Sequence, residues 1–400
     1  MIIGVVGKPS VGKSTFFKAC TLADVEIANY PFTTIKPNHA IGFVKVDPCS
    51  DKELGKQCNP REGYCINHKR FVPVEMIDVA GLVPGASEGA GMGNQFLDDL
   101  RQADVLVHVI DVSGSTNEKG EPVEPLSYDP ANDIRFLETE LDNWYFGIFK
   151  KVWEKFARQI QQEHADVNKA IAKQFSGLRV TEDMVQDGVN KIGLDELKVS
   201  SWEESKLKEL VKYLRQQTKP MIIAANKIDV PKADENYKKL KQEFPELLII
   251  PTSAESELAL KEAAKHGLLE YVPGENEFSI SDDSKLNDKQ KNALTYIQKN
   301  ILGVFNSTGV QEVLDKATFD LLEYIPIYPG GVGKLTDQYG NVMPDCFLMP
   351  KGTTALDFAY RLHTDFGKNF VKAINVKTKM PINKDVPLSF GDVIEIMSSK

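Results

Sequence analysis

The feature that most constrains this chain is a phosphate-binding loop close to its first residue. Residues 7–14 read Gly-Lys-Pro-Ser-Val-Gly-Lys-Ser, which matches the pattern G-x-x-x-x-G-K-[ST]. An apolar run at residues 2–6 precedes the loop, and residues 15–22 have helical character. A loop between a buried strand and a helix can turn successive backbone N–H groups onto phosphates, and the helix N-terminus adds partial positive charge. The sequence therefore predicts an α/β fold with a nucleotide phosphate site near its start.

The residues of this loop have separate predicted roles. Lys13 is expected to reach the β- and γ-phosphates, and the Ser14 hydroxyl is expected to bind Mg²⁺. Backbone and side-chain contacts to the nucleotide are assigned to the rest of the loop and the start of the helix. These further contact residues are Gly7, Pro9, Ser10, Val11, Gly12 and Thr15.

Two later segments complete the expected magnesium and γ-phosphate site. The stretch from Asp78 to Gly81 reads D-x-x-G and follows an apolar run. The Asp78 carboxylate suits water-mediated Mg²⁺ binding, and the Gly81 N–H suits the γ-phosphate. A switch threonine between the two motifs would complete Mg²⁺ coordination, and Thr34 is favoured over Thr33. Lys13, Thr34 and Gly81 are therefore the predicted catalytic residues.

A fourth motif predicts which base the nucleotide carries. Asn226-Lys227-Ile228-Asp229 follows an apolar run at residues 220–225. The Asp229 carboxylate can accept hydrogen bonds from N1–H and from the exocyclic amine of guanine, whereas adenine offers neither donor on that edge. A buried carboxylate left without these donors would penalise ATP. Asn226 and Lys227 belong to the same site, and Ser253-Ala254 is expected to give a backbone N–H to the guanine carbonyl. The sequence predicts GTP.

The apolar runs and helical patterns also predict a domain organisation. Short apolar runs alternate with helical segments, as in a mostly parallel sheet with crossover helices. Residues 131–214 interrupt this alternation with a long, proline-free, helical composition, which favours a coiled-coil-like insertion over ordinary crossover helices. Short strands with one helix near 354–362 follow a segment rich in Pro and Gly. The predicted parts are a GTPase domain at 1–130 and 215–305, the helical insertion at 131–214, a linker at 306–331 and a C-terminal domain at 332–400.

Composition limits the surroundings in which such a chain works. The net charge of -9 argues against a surface that is coated by nucleic acid, although a local basic face is compatible with it. The cysteine count of 5 is odd and forms no dense framework, which indicates a reducing compartment. No signal peptide fits ahead of the loop, and no apolar run is long enough to cross a membrane. We expect a cytoplasmic protein without membrane contact, and nothing in the sequence demands more than a monomer.

Several segments resemble a known family over nearly the whole chain. Residues 29–34, Asn-Tyr-Pro-Phe-Thr-Thr, and the glycine-rich residues 81–93 closely resemble the two switch regions of Obg-type GTPases. The helical insertion and the C-terminal part resemble the YchF branch of that family. Residues 332–400 resemble a TGS domain, a small β-grasp-like module, through Pro-Lys-Gly-Thr-Thr-Ala at 350–355 and Phe-Gly-Asp-Val-Ile at 390–394. The resemblance implies slow, Mg²⁺-dependent GTP hydrolysis by a switch that contacts ribosomes or RNA through its helical and TGS domains.

The chain departs from this family pattern at the guanine motif. YchF-type proteins have a degraded motif there and prefer ATP, whereas residues 226–229 are intact, so we predict a GTP-specific, archaeal-like relative of YchF. Two alternatives stay open. One is an ATPase of YchF type, and the other is a nucleotide-gated RNA- or ribosome-binding scaffold with incidental turnover.

Two positions leave details of hydrolysis open. Leu82 stands where Ras-like proteins carry the Gln that orients the attacking water, so the sequence does not identify the orienting group. Several potassium-stimulated GTPases carry Asn at the position of Ser10, so a dependence on potassium is left open as well.

A cluster of thiols is the one further candidate metal site. Cys49, Cys58, Cys65 and His68 lie close together in sequence and could hold Zn²⁺ tetrahedrally. Their spacing lacks the paired C-x₂₋₄-C of common zinc sites, and free thiols are the favoured alternative.

Two sets of residues are candidates for partner contact. Aromatic residues of the insertion, at 144–146 and 149, form either a contact stripe or part of a core, and a core is favoured. Basic residues of the C-terminal domain either face RNA phosphates or form a solvated surface. These residues are Lys368, Lys372, Lys377, Lys379 and Lys384.

Overall fold

The computed structural model describes residues 1–22, 38–79 and 99–399. The chain forms two compact units, one of residues Met1–Ser14 and Ile77–Thr252, the other of Thr15–Met76 and Ser253–Lys400. The two predicted switch segments, with Thr33, Thr34, Gly81 and Leu82, lie outside the described residues.

The strands of the described residues follow the apolar runs of the sequence. In chain order they are β1 (Ile2–Val6), β2 (His39–Val46), β3 (Tyr64–Ile66), β4 (Lys69–Asp78), β5 (Val105–Asp111), β6 (Met221–Asn226), β7 (Leu248–Pro251), β8 (Leu269–Tyr271), β9 (Phe278–Ile280), β10 (Tyr324–Pro329), β11 (Phe347–Pro350), β12 (Phe370–Asn375), β13 (Pro381–Ile382) and β14 (Val393–Ser398).

The helices of the described residues separate many of these strands. In chain order they are α1 (Lys13–Thr21), α2 (Ala131–Glu163), α3 (Val167–Gln174), α4 (Glu182–Ile192), α5 (Glu204–Thr218), α6 (Ala233–Glu243), α7 (Ala254–Lys265), α8 (Asp288–Ile297), α9 (Gly303–Phe305), α10 (Val310–Lys316), α11 (Ala355–Leu362) and α12 (Thr364–Lys368). None of them combines the length and apolar character that crossing a membrane requires.

A parallel sheet organises the first unit. Strand β5 pairs in parallel with both β1 and β6, and β6 pairs in parallel with β7. Every residue of β5 and β6 is buried, as expected for strands covered on both faces. Because the carboxyl ends of parallel strands meet at one edge, the loops that follow β1, β5 and β6 lie side by side. The predicted mixed α/β class with a mostly parallel sheet is confirmed.

Helix α2 is the longest element of the insertion, with 33 residues. Apolar residues spaced mostly three or four apart in the sequence predict one buried face for this segment, and its first members, Ile134, Leu137 and Leu141, are buried. The same spacing predicts that Val152 is buried, but Val152 is 36% exposed, whereas Tyr145, outside the predicted face, is fully buried. A straight helix has 3.6 residues per turn, so an apolar stripe drifts around the axis over nine turns, and the neighbouring helices decide which positions are covered.

Aromatic stacking fixes the far half of this insertion. The rings of Phe149 and Phe175 stack with centroids 3.5 Å apart, and Trp153 stacks on Trp202 at 5.5 Å. Trp144, predicted to be either core or contact surface, is 5% exposed and therefore belongs to the core. Phe149 is fully buried as well, so the favoured core interpretation holds for these aromatic residues.

A second sheet in the second unit carries the C-terminal module. Its strand order is β11-β10-β14-β12-β13, with β10 and β14 parallel and the other pairs antiparallel. Helix α11 starts at a capping box made by Thr354 and Asp357, and its Phe358 packs in the core of this sheet. The one helix predicted near 354–362 agrees with α11.

Residues 306–331, expected to be a linker, contain α10 and β10. The Pro and Gly residues of this segment favoured a linker because they interrupt regular structure. In β10, however, Ile325 and Ile327 point into the core of the second sheet, and Pro326 and Pro329 are accommodated in the strand. The alternation of Ile with other residues is the signal that identifies this strand.

Candidate functional site

The phosphate-binding loop lies at the carboxyl end of β1. Gly12 has a φ of +88°, and a Cβ there would lie 2.4 Å from Asn226 Nδ2. A Cβ at Gly7 would lie 2.6 Å from the carbonyl oxygen of Val109. A larger residue at either position would force neighbouring atoms to move, which explains the two glycines of the motif. Pro9 and Ser10 are exposed at the tip of the loop, so this part of the loop is accessible to a ligand.

Lys13 begins helix α1 and reaches the end of β4. Its Nζ forms an ion pair with the Asp78 carboxylate and donates to the carbonyl oxygen of Val79 at 3.0 Å. Val79 N in turn donates to Val5 O of β1 at 3.0 Å, which holds Asp78 and Val79 beside the end of β1. The structure thus brings together the phosphate-binding lysine and the predicted magnesium carboxylate. Ser14, the second predicted magnesium residue, is exposed at the start of the helix.

The guanine motif is anchored to the loop by its first residue. Asn226 Nδ2 donates to Val11 O at 2.9 Å, and both groups are buried. Two backbone bonds hold the following residues, from Ile228 N to Thr252 O at 3.1 Å and from Thr252 N to Ala225 O at 2.9 Å. The segment that carries Asp229 is therefore fixed relative to the phosphate-binding loop, as a base-reading carboxylate requires.

Lys227 joins this motif to the end of β5. Its Nζ lies 2.9 Å from Asp111 Oδ2, and the Asp111 side chain is fully buried. Burial alone raises the pKa of Asp111, but hydrogen bonds from Ser113 and Lys227 outweigh it, and the pKa lies below its ordinary value. Ser115 and Thr116 hydroxyls also donate to Asp111 Oδ2, each at 2.9 Å. Asp111 is therefore a buried, negatively charged carboxylate that accepts several hydrogen bonds and holds the Lys227 side chain in place.

Sequence reasoning missed Asp111, although a signal was present. Asp111 is the last residue of the buried strand β5, as Asp78 is of β4, and a Ser-rich turn comes next. An acidic residue at the carboxyl end of a buried parallel strand lies at the edge where ligands bind.

A second missed feature is a buried ion pair beside the loop. Lys8 Nζ lies 2.9 Å from Asp133, at the start of α2, and donates to Thr116 O at 3.1 Å. Lys8 also lies 3.9 Å above the Tyr128 ring, whose hydroxyl donates to Asp133 at 2.9 Å. Because Lys8 is an unspecified position of the motif, nothing in the pattern indicated this role. The pair fastens the phosphate-binding loop to the helical insertion.

The remaining predicted base residues start helix α7. Ser253 is its N-cap, where the side chain accepts from Ser256 N at 3.4 Å. Ser253 is fully buried and Ala254 is 1% exposed. Thr15, the last residue predicted from the loop motif, is half-buried in the first turn of α1.

The thiol cluster differs in one member from the predicted zinc set. Among the described residues, ligand atoms of Cys49, Asp51, Cys58 and Cys65 all lie within 4.8 Å of one another. His68 lies outside this group, and its Nδ1 lies 3.0 Å from Asp51 Oδ1. In the candidate ligand set, Asp51 therefore replaces His68, which the sequence predicted as the fourth ligand.

Three family models match the chain on either side of residues 138–223. Residues 2–137 match the model described as 50S ribosome-binding GTPase, and residues 224–331 match that described as Obg-like GTPase YGR210-like, G4 motif-containing domain. Residues 333–398 match the TGS domain. The order of the three matches agrees with the order of the motifs in the sequence.

Individual proteins resemble the chain over its full length. A GTP-binding protein of Methanocaldococcus jannaschii is 49% identical and is covered to 99%, with 100% of this chain aligned. The crystal structure of a GTP binding protein from Pyrococcus horikoshii has a TM-score of 0.78 at 40% identity, and each chain is covered to 100%. The ribosome-binding ATPase YchF of Mycoplasma pneumoniae is 29% identical, over 92% of this chain and 88% of that protein.

Proposed function

The chain belongs to the YchF-related Obg-like GTPases, and on this premise we propose that it binds GTP with Mg²⁺ and hydrolyses it slowly as a switch on ribosomes or RNA. The observation that carries the choice of GTP is the intact guanine motif, anchored by Asn226 to Val11 and by Lys227 to Asp111. A carboxylate at Asp229, held on such a frame, selects guanine because adenine lacks both matching donors.

The phosphate end of the proposed site fits a magnesium nucleotide. Ser14 offers an exposed hydroxyl, and Asp78 is a carboxylate that already faces the Lys13 ammonium. Bound Mg²⁺ would supply charge neutralisation of the phosphates. Because Lys13 is then needed at the β- and γ-phosphates, nucleotide binding exchanges its Asp78 partner for phosphate oxygens. Thr34 and Gly81 complete this proposal as the switch contacts.

Exposed basic residues support contact with ribosomes or RNA. Lys151, Lys155 and Arg158 are exposed along α2. Most of the predicted C-terminal lysines are also exposed, but Lys377 pairs with Glu53 at 2.9 Å and is therefore left out of the proposed surface. The M. pneumoniae relative is named as ribosome-binding, in line with such surfaces. Binding to ribosomes implies a cytoplasmic location, and we propose that the chain acts as a monomer.

Steady-state hydrolysis tests the enzymatic part of the proposal. Turnover without a partner should be about 10⁻⁴–10⁻² s⁻¹ with GTP and Mg²⁺. Lys13→Ala should lower it by about a hundredfold or more, because the only side-chain cation of the loop that reaches the phosphates is removed. Lys18→Ala, on the exposed side of α1, is the matched control and should keep wild-type turnover. Hydrolysis of ATP in preference to GTP would support the YchF-type ATPase instead.

Co-sedimentation with ribosomes tests the switch. The proposal predicts binding with a non-hydrolysable GTP analogue and weaker binding with GDP or without nucleotide. Equal binding in all three states would contradict the switch and favour a scaffold with incidental turnover.

A further inference from the structure

The thiol cluster of the second unit has the composition of a metal site. Cys49 and Asp51 follow β2, Cys58 lies in the connection to β3, and Cys65 lies in β3 itself. The four ligand atoms converge within 4.8 Å of one another, although the residues are spread over the connection. Ordering a long connection so that three thiols and a carboxylate lie close together costs conformational entropy, and a stabilising interaction must offset this cost.

The distances match those of a tetrahedral zinc site. At a Zn–S distance of about 2.3 Å, tetrahedral angles place two sulfur ligands about 3.8 Å apart. The Sγ atoms of Cys49 and Cys58 are 3.8 Å apart. Cys65 Sγ lies 3.8 Å from Asp51 Oδ2, close to the separation of about 3.5 Å that zinc imposes on a sulfur and an oxygen ligand. Two of the ligand separations therefore agree with a zinc site, and all four ligand atoms lie within 4.8 Å of one another.

Burial and charge also favour an ion over free thiols. Cys49 and Asp51 are fully buried, and Cys58 is 4% exposed. Arg70, itself 1% exposed, places its NH1 3.6 Å from Cys58 Sγ. Its other hydrogen-bond partners among the described residues are two carbonyl oxygens, of Met343 and Pro344. A permanently charged guanidinium in such a site is stabilised by an anionic sulfur cluster, which thiolates around a divalent cation supply.

We propose that Cys49, Cys58 and Cys65, with Asp51 as the fourth ligand, bind one structural Zn²⁺. Asp51 Oδ2 accepts a hydrogen bond from Cys58 N at 2.7 Å, and Asp51 Oδ1 lies 3.0 Å from His68 Nδ1. These two contacts orient the carboxylate, as hydrogen bonds to metal ligands usually do. Three thiolate ligands select zinc over magnesium or calcium. Binding releases the thiol protons to solvent. Four protein ligands fill a tetrahedral site, and three of the four are buried, so the site has no position for a substrate.

The ion would stiffen a connection that docks on the C-terminal module. Asn59 N donates to Val342 O at 2.8 Å, and Arg61 N donates to Pro344 O at 3.1 Å. Arg61 also pairs with Asp345, and Ser50 Oγ donates to Gly391 O at 2.6 Å. These bonds all start from residues between or beside the proposed ligands. Zinc would therefore stabilise the conformation of the connection between β2 and β3, whose residues bond to the C-terminal module.

Metal analysis of protein purified without metal-affinity resin tests the proposal. We expect about one zinc per chain in the wild type and less than about a tenth in Cys58→Ser, because three-ligand sites of this kind lose affinity steeply. Cys346→Ala is the matched control, since Cys346 packs in the same cluster outside the ligand group, and it should keep its zinc.

Cobalt substitution keeps the test valid if a variant folds poorly. Wild-type protein loaded with Co²⁺ should show thiolate-to-metal charge transfer and the visible bands of a tetrahedral site. Asp51→Asn should keep the charge-transfer bands and shift the visible bands. Zinc-supplemented wild type that contains less than about a tenth of an equivalent would overturn the proposal, and so would a Cys49–Cys58 disulfide in the purified protein.

Discussion

At the scale of single residues, the motifs predicted the kinds of side chains but not the contacts among them. Asn226 was assigned to the base site, and the structure shows that it also bonds to Val11 of the phosphate-binding loop. Gly12 must be small because this same amide approaches it. Patterns list residue types in order along the chain, whereas such contacts join residues far apart in sequence.

Gly12 gives the sharpest structural prediction at this scale. Gly12→Ala would place a methyl group against Asn226 Nδ2 in a left-handed backbone conformation, so we expect a loss of about 1–3 kcal/mol in the free energy of unfolding. Nucleotide affinity should fall as well. Gly147→Ala, in α2 with open space around it, is the control and should stabilise the protein by about 0.5–1 kcal/mol. Urea denaturation measures both, and a Gly12→Ala variant as stable as the wild type would contradict the geometry.

His108 should make the protein sensitive to mild acid. Burial, followed by the nearby Lys8 charge, lowers the pKa of His108 from 6.5 to about 3. Below pH 6.5 His108 therefore binds a proton in the unfolded chain but stays neutral in the folded protein. The contribution of His108 to the free energy of unfolding is fully present above pH 6.5 and is lost as the pH falls toward 3.

A matched variant isolates this contribution of His108. His108→Leu should remove about 1.4 kcal/mol per pH unit from the slope of unfolding free energy against pH below pH 6.5. Denaturation of both proteins between pH 6.5 and 5 measures it. Equal slopes would show that His108 titrates alike in both states.

At the scale of elements, the apolar runs at 2–6 and 220–225 predicted the buried strands β1 and β6, and the helical composition of 131–214 predicted an insertion. These predictions were possible because buried strands and proline-free helical segments differ plainly in pattern.

The predicted face of α2 is right at Trp144 and Ile160 but wrong at Val152, and the sequence did not predict that the Pro-rich β10 is a strand, because neighbouring elements decide both. The ion pair between Lys8 and Asp133, at the start of α2, was likewise unpredicted.

The Lys8–Asp133 pair should be costly to break from one side. Lys8→Met would leave Asp133, 7% exposed, without its cation, and we expect a loss of about 3–5 kcal/mol in the free energy of unfolding. The double variant Lys8→Met/Asp133→Leu should recover a large part of this loss, since no buried charge remains. Urea denaturation of the double-mutant cycle measures the coupling, and additive losses would contradict a direct interaction.

At the scale of the whole molecule, the chain combines a GTPase domain, an α-helical insertion and a TGS domain. The sequence predicted these parts through the resemblance to a family more than through periodicity, since small β-rich modules have short, weak patterns. The structure, and not the sequence, shows which of the basic residues form ion pairs within the chain. Lys377, for example, is engaged by Glu53.

Charge reversal on the insertion tests its role in partner binding. Lys151→Glu/Lys155→Glu/Arg158→Glu should weaken ribosome co-sedimentation by about tenfold or more and reduce its salt dependence, because phosphate contacts release counterions. The control is Lys239→Glu/Lys241→Glu/Lys289→Glu, which changes the net charge equally on other exposed helices. Equal weakening by both triple variants would show a non-specific charge effect.

The most direct test of the central claim, that this GTPase reads guanine through Asp229, is nucleotide affinity in the wild type and in Asp229→Asn. Wild-type protein should bind GTP at least about a hundredfold more tightly than ATP or XTP, because only guanine offers both donors to the carboxylate. In Asp229→Asn the amide can donate to the C2 carbonyl of xanthine, so XTP should become the preferred nucleotide, while Asp234→Asn should behave as the wild type. Equal affinity of the wild type for ATP and GTP, or an Asp229→Asn variant that still prefers GTP, would contradict the account.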